Sequence, residues 1–392
     1  MKAIRIGIIG VGNMGSAHAN CIGNGEIDGM VLAAVCDIDP KRTDKYIESG
    51  SGIAVFQNYE ELLQSKVIDA VLIAVPHRLH ATIAIEALQA GIHVLTEKPV
   101  DIRVSQAERL NETAEKSGKV FGIMFNQRTN PLFQRARDIV QSGQLGELKR
   151  SVWIVTNWYR TQRYYDSGDW RATWAGEGGG VLLNQAPHNL DLWQWICGMP
   201  VNVTGYCDVA KYHEIEVEDD ATIFVRYANG AIGTFITSTG EYPGTNRLEI
   251  SGDLGKLVLE NGVLKHWKLK TSEREICKTS EKGMPKPEYV YTELTQESRE
   301  TAHKGILQNF ANAILHREEL LAPGTDGINE LTISNATYLS SWQGNREVTL
   351  PFDTTEFDEL LEEKKRGSVW REETVREAGE STEYKDRWKV NW

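Results

Sequence analysis

Ile4-Arg5-Ile6-Gly7-Ile8-Ile9-Gly10-Val11-Gly12-Asn13-Met14-Gly15 is the stretch on which the fold class turns. Its first half is β-branched and apolar, as a buried parallel strand should be. Its second half is a glycine turn opening a helix. Gly10 permits the tight bend, Gly12 lets the backbone approach a pyrophosphate, and Gly15 lets the helix pack close to the strand. The first N–H groups of that helix, with its dipole, favour an anion. A lone GxGxxG is common by chance, so the residues that follow matter. The next strand, Met30 to Cys36, ends at Asp37, 22 positions beyond Gly15. A carboxylate there can accept from ribose hydroxyls and repels a 2′-phosphate, which favours NAD over NADP. Lys41 and Arg42 lie close behind and can soften that preference.

Outward from this opening, strand and helix patterns alternate at short spacing. Asp69 to Val75 reads as a buried strand, Leu79 to Ala90 as a helix ended by Gly91, and His93 to Thr96 as another strand. Ser105 to Ser117 is helical and Val120 to Met124 completes the series. This is the mark of an α/β Rossmann domain, a doubly wound parallel sheet. From Val152 the period changes to two, in SVWIVTNWY, ATIFVRYANG, AIGTFITST, RLEISGD and GKLVLEN. Asn229-Gly230 and Gly252 to Gly255 read as hairpin turns. An α+β domain with a mostly antiparallel sheet is expected, with helices returning at 304–317 and 327–343. The expected boundaries are 1–125 for nucleotide binding, 126–350 for substrate and oligomerisation, and 351–392 for a charged helix and mobile tail.

Composition bounds the function. The 392 residues exceed what one core usually serves. Hydrophobic content of 41% and charged content of 25% are ordinary globular values. A net charge of −12 argues against nucleic acid or an anionic membrane as partner. Cys21, Cys36, Cys197, Cys207 and Cys277 are scattered and form no CxxC, which fits reduced thiols. No apolar run of about 18 residues suggests a membrane span. A cytoplasmic enzyme is expected. His77 and His80 lack a third ligand at useful spacing, so no metal is expected. His18 reads as a packing residue of the first helix.

Oxidising a secondary alcohol needs a base for the hydroxyl proton while hydride leaves the same carbon. His188 is the candidate base, because imidazole titrates near neutrality. Lys98, in the Glu97-Lys98-Pro99 step at the end of a strand, can stabilise the developing alkoxide. Asn184 lies four residues before His188, so on one helix both face the same way. Asp191 can orient the imidazole or bond locally. Pro187 is expected to kink this helix. Six of the eleven tryptophans fall between Trp153 and Trp195, in a stretch too polar and glycine-rich to be only core. Aromatic faces with Arg, Asn and Asp nearby make a carbohydrate site. The plain alternative is a tryptophan-rich core or subunit interface. Arg128, Arg160 and Arg171 raise the further option of a phosphate or carboxylate on the sugar.

With GIIGVGNMGSAHAN, the EKP segment, GGGVLLNQAPHNLD and VEDDATIFVRYANGAIGTF in place, the chain resembles the glucose–fructose oxidoreductase, inositol dehydrogenase and rhizopine catabolism family (Gfo/Idh/MocA) from Ile4 to about Leu350. Within it, WRATWAGEGGGVLLNQAPHNLD is most similar to levoglucosan dehydrogenase and the sugar 3-dehydrogenases. The resemblance implies a Rossmann domain and an open-sheet domain that mediates a homodimer or homotetramer. It implies NAD-dependent oxidation of a sugar, anhydrosugar or polyol, with Lys98, Asn184 and His188 at the family's lysine, aspartate and histidine positions. Asn184 departs from that pattern, and an aspartate there is expected to be tolerated. The cofactor set is Gly10, Gly12, Asn13, Met14, Gly15, Asp37, Arg42, Pro76, His77, His80, Glu97, Lys98, Asn126, Trp170 and Arg171. The substrate set is Lys98, Arg128, Trp158, Tyr159, Arg171, Trp174, Asn184 and His188. An inositol or polyol dehydrogenase, a keto-sugar reductase that retains its cofactor, and a non-catalytic NAD-binding sugar sensor are the other readings, the last disfavoured by intact Lys98 and His188.

Overall fold

The computed structural model describes residues 3–48, 50, 52–168, 170–295 and 301–368, and divides the chain into two compact units. The first begins with β1 (Ile4–Ile9), α1 (Asn13–Gly23), β2 (Met30–Cys36), α2 (Pro40–Glu48), β3 (Ala54–Phe56) and α3 (Tyr59–Gln64). It continues through β4 (Ala70–Ile73), α4 (His80–Gln89), β5 (His93–Thr96), α5 (Val104–Ser117) and β6 (Phe121–Ile123). All pairings are parallel, in the order β3-β2-β1-β4-β5-β6. The order reverses between β1 and β4, so the C-terminal ends of those strands flank a crevice of the kind that binds dinucleotides. Both faces are covered, which is why Ile6, Ile8, Val71, Leu72, Val94 and Leu95 are fully buried and the strands read as unbroken apolar runs.

The second unit takes over at Asn130. Its helices are α6 (Pro131–Gln141), α7 (Gln162–Tyr165), α8 (Val181–Asn184), α9 (Pro187–Cys197) and α10 (Glu273–Thr279). Its strands are β7 (Leu148–Val155), β8 (Asn202–Val209), β9 (Glu218–Arg226), β10 (Ile232–Ser238), β11 (Asn246–Gly252), β12 (Gly255–Glu260), β13 (Val263–Leu269) and β14 (Tyr289–Thr295). With β15 (Val348–Thr349) they form one sheet, β14-β13-β12-β11-β7-β10-β9-β8-β15. It is antiparallel except where β10 pairs with β7. Alternation sorts its faces. On β9, Ala221, Ile223 and Val225 are buried, while Phe224 between them is 47% exposed. The strand β8 was not legible in the sequence. Gly205 interrupts its pattern because a side chain there would meet Thr337 at about 2.5 Å.

One segment departs from the expected boundaries. The span Thr301–Leu331, with α11 (Ala302–His316) inside it, belongs to the first unit although it follows the sheet of the second. The Arg128 guanidinium, 1% exposed, ties it down by donating to Leu321 O at 3.1 Å and Asp326 at 2.7 Å. Two helices follow, α12 (Gly327–Trp342) and α13 (Thr354–Arg366). The tail expected after α13 lies outside the described residues.

Candidate active site and family

In the first unit the glycine turn is built as its sequence implies. Gly10 takes φ +87, and a Cβ there would fall 2.4 Å from Ala74 O. A Cβ on Gly15 would lie 1.8 Å from Gly10 O, so the helix reaches its place only with glycine. Gly12 differs: a Cβ there would meet Arg42 alone, at 3.7 Å, so the space beside it is left open on the ligand side. No side chain caps α1, and the first N–H groups, at Asn13 and Met14, have the polarity a pyrophosphate needs. Asp37 is buried and accepts the Val11 N–H at 2.9 Å and the Asp39 N–H at 3.0 Å. A carboxylate has about four acceptor sites, so it retains capacity for ribose hydroxyls. Arg42 stands 3.6 Å from it and from Asp39. These residues fit an NAD adenosine and pyrophosphate.

Lys98 lies two residues beyond the end of β5, joined to Pro99 by a cis peptide. Its neighbour Glu97 is buried and bonds His18 Nε2 through Oε1 at 2.7 Å, while Oε2 accepts the Lys98 N–H at 3.3 Å. Burial alone raises a carboxylate pKa. Here the His18 bond, with the nearby positive charges, outweighs it and brings Glu97 to about 2. His303, from α11, packs edge-on to His18 at 5.6 Å, and Asn126 reaches its Nδ1 at 3.5 Å. Burial pushes His303 down to about 3. His18 is thus both packed against His303 and bonded to Glu97, the residue before Lys98. No sequence spacing reveals this, since His18 and Glu97 stand 79 residues apart.

Three assignments in the first unit are corrected or qualified. His80 has both ring nitrogens against main-chain carbonyls, Pro99 O at 2.6 Å and Val75 O at 2.7 Å, and burial lowers its pKa. Its polar atoms serve the chain, not a cofactor. Arg128 is likewise committed to Asp326 and Leu321 and is withdrawn from the substrate set. Pro76 precedes a 3-10 turn at His77–Leu79, and His77 is itself buried.

In the second unit the helix expected through positions 184 and 188 is two helices. The first, α8, ends at Asn184, Gln185 and Ala186 form the break, and Pro187 occupies the first turn of α9. A proline fits there because its missing N–H has no intrahelical partner at that position. It starts a helix and kinks none. His188 follows it and is half-buried. Asp191 is buried and accepts from Gln194 at 3.0 Å. The amide of Asn184 donates to Glu177, and the Tyr164 hydroxyl lies 3.5 Å from its Oδ1. Arg171 donates to that hydroxyl at 3.0 Å and stacks on Tyr164 and Trp170, 4.7 and 4.6 Å from the ring centres.

The tryptophans divide. Trp153 and Trp193 are core, packed on Phe235. Trp174 is 6% exposed and sits edge-on to Tyr338 and Trp342. Trp158 is buried and donates to Asn189 at 3.2 Å. Tyr159, by contrast, is 46% exposed beside Tyr242.

Residues 4–125 match the model of the oxidoreductase family with an NAD-binding Rossmann fold, and residues 133–258 match the GFO/IDH/MocA C-terminal domain. The chain belongs to the Gfo/Idh/MocA family. Among its Gfo/Idh/MocA relatives, a myo-inositol 2-dehydrogenase of Thermotoga maritima is 24% identical over 85% of this chain and 95% of the relative. An inositol 2-dehydrogenase of Corynebacterium glutamicum is 33% identical over 51% and 56%. The WlbA dehydrogenase of Bordetella pertussis, solved with NADH and UDP-GlcNAcA, is 26% identical with a TM-score of 0.75, covering 90% of this chain and all of that one. Levoglucosan dehydrogenase, solved with NADH and levoglucosan, has a TM-score of 0.73 at 19% identity over 89% of this chain and all of that one, a likeness of fold alone. This Gfo/Idh/MocA protein is an NAD-binding oxidoreductase. Among the described residues no helix is long and apolar enough to cross a membrane.

Proposed function

We propose that the protein oxidises a secondary hydroxyl of a sugar or anhydrosugar, levoglucosan-like and at C3, to the keto-sugar. The observation that carries this reading is Lys98 just beyond β5, at the C-terminal edge of the parallel sheet where a nicotinamide belongs. Bound NAD supplies the acceptor for the hydride. Lys98 holds the hydroxyl oxygen electrostatically as negative charge develops, and His188 takes the proton. Asn184 positions the sugar and takes no proton, since an amide has no basic site near neutrality. Sugar and cofactor contacts are assigned to Arg171, Trp170, Trp158, Trp174 and Tyr159 of the second unit, and ribose contacts to Asn126 and His77 of the first. The retained Lys98 and His188 support an enzyme over a sensor.

A nucleotide-linked sugar acid is the second reading. It is favoured by the WlbA likeness and by Arg171, a guanidinium suited to a carboxylate or phosphate. Exposed Tyr206, Phe224 and Ile232 on β8, β9 and β10 support a homo-oligomer joined through the outer sheet face. Light scattering on the purified protein tests that.

NAD reduction with levoglucosan, free hexoses, inositols and UDP-linked sugar acids tests the substrate. Oxidation of levoglucosan alone selects the first reading, and oxidation of the uronate alone the second. The wild-type rate should rise with pH through one ionisation near neutrality, and His188→Ala should abolish that dependence. An active His188→Ala enzyme with the wild-type pH profile rules out the base assignment.

A further inference from the structure

The second unit holds a buried carboxylate beside Asn184. Glu177, just before the Gly178–Gly180 run, is 1% exposed. Burying a carboxylate is unfavourable unless donors meet its oxygens. Here Oε2 accepts the Ala172 N–H at 2.7 Å, and Oε1 accepts the side-chain amide of Asn184. Ala172 is held at φ +53, a left-handed conformation uncommon for a residue with a side chain, in the turn that delivers this N–H. A carboxylate only accepts, so the NH2 end of Asn184 faces Glu177 and Oδ1 faces the other way. On that side the Tyr164 hydroxyl lies 3.5 Å off and accepts from Arg171 at 3.0 Å and Gln185 at 3.3 Å. Donors therefore run in one direction, from the Arg171 guanidinium through Tyr164 and Asn184 to Glu177.

We propose that Glu177 carries the negative charge of this cluster and is a positioning residue for Asn184, presenting the amide oxygen as the acceptor for a substrate hydroxyl. This rests on the reading of Asn184 as the residue that positions the sugar. Its consequence opposes the expectation from the family pattern. An aspartate at 184 would set two carboxylates in hydrogen-bond contact, and one of them would have to keep a proton. Among the described residues, the charged and titratable groups near the pair include Arg171, Arg160, Tyr164, Tyr165 and, four residues after Asn184, His188. Arg160 stacks 5.1 Å over Tyr164. Burial pushes the Tyr165 phenol up, and Glu177 adds to the rise. Glu216 meets Ala172 through its backbone N–H and turns its carboxylate to Ser368.

The test compares the full-length wild type, Glu177→Gln, Asn184→Asp and the double swap Glu177→Gln/Asn184→Asp. Two readouts are taken from pH 6 to 9: NAD reduction with levoglucosan and with UDP-GlcNAcA, and thermal melting. Asn184→Asp should lose roughly tenfold or more in kcat/KM at pH 8, with a smaller loss at pH 6, where the shared proton is retained. Its Tm should fall by about 3 °C or more relative to wild type across the same rise in pH. The double swap restores one carboxylate and one amide, and should recover most of both losses. An Asn184→Asp enzyme matching wild type in rate and melting at every pH overturns the proposal, as does a double swap no better than Asn184→Asp. If the wild type oxidises neither sugar, the functional reading fails instead, and the melting curves still judge Glu177.

Discussion

The two units hold their polar residues by different means. In the first, the nucleotide crevice is shaped by backbone: glycines where a Cβ would strike a carbonyl, helix N–H groups, and one carboxylate at the end of β2. In the second, the cluster around Asn184 is a relay of side chains from α7, from the loop carrying Arg171 to Glu177, and from the end of α8. Backbone geometry leaves a local signature in sequence. A side-chain relay leaves almost none, because each member is chosen by its neighbour in space.

The comparison can be broken first at the aromatics. If Trp174 is core, Trp174→Ala should cost about 3–5 kcal/mol in urea unfolding, as large-to-small changes in packed sites do. A loss of sugar binding with unchanged stability would make Trp174 a substrate contact instead. The His18–Glu97 pair comes next. Removing one partner of a buried ion pair costs about 3–5 kcal/mol, so His18→Leu should destabilise the first unit, seen as earlier thermal unfolding. The sign with pH is set by Glu97. Its folded pKa, about 2, is below the ordinary value. Its stabilisation is thus present above the ordinary carboxylate range and is lost as pH falls toward 2. Without His18 the buried Glu97 takes up a proton more readily, so the destabilisation by His18→Leu should be largest near neutral pH and shrink as pH falls.

Lys98→Ala should lower turnover roughly 10²-fold, about 2.7 kcal/mol, with the Kd for NAD little changed. Loss of NAD affinity instead would make Lys98 a cofactor anchor. Asp37→Ser should be smaller, on the order of 1–2 kcal/mol of lost preference for NAD over NADP. Steady-state kinetics with both cofactors reads it, and an unchanged ratio would show Arg42 to dominate. Least of all, Tyr159→Ala should alter stability by no more than about 0.5 kcal/mol, while raising KM if the ring faces the sugar.

The glycine turn, Asp37, five of the six strands of the parallel sheet and the EKP step were legible from local pattern, because each needs a residue type at a fixed offset, whereas the short β3 carried no such pattern. Period-two runs announced most of the second sheet for the same reason. Tertiary structure alone decided that Thr301–Leu331 returns to the first unit, held by Arg128, since nothing in residues 301–331 names a partner almost two hundred positions away. It decided that Pro187 begins a helix, because only the break at 185–186 gives proline a first-turn site. It turned His80 and Arg128 to partners within the chain, as burial and partner choice depend on what packs around a residue. It also placed Glu177 against Asn184. A carboxylate seven residues upstream looks solvated in sequence, and becomes part of the site only where the fold removes water and supplies donors.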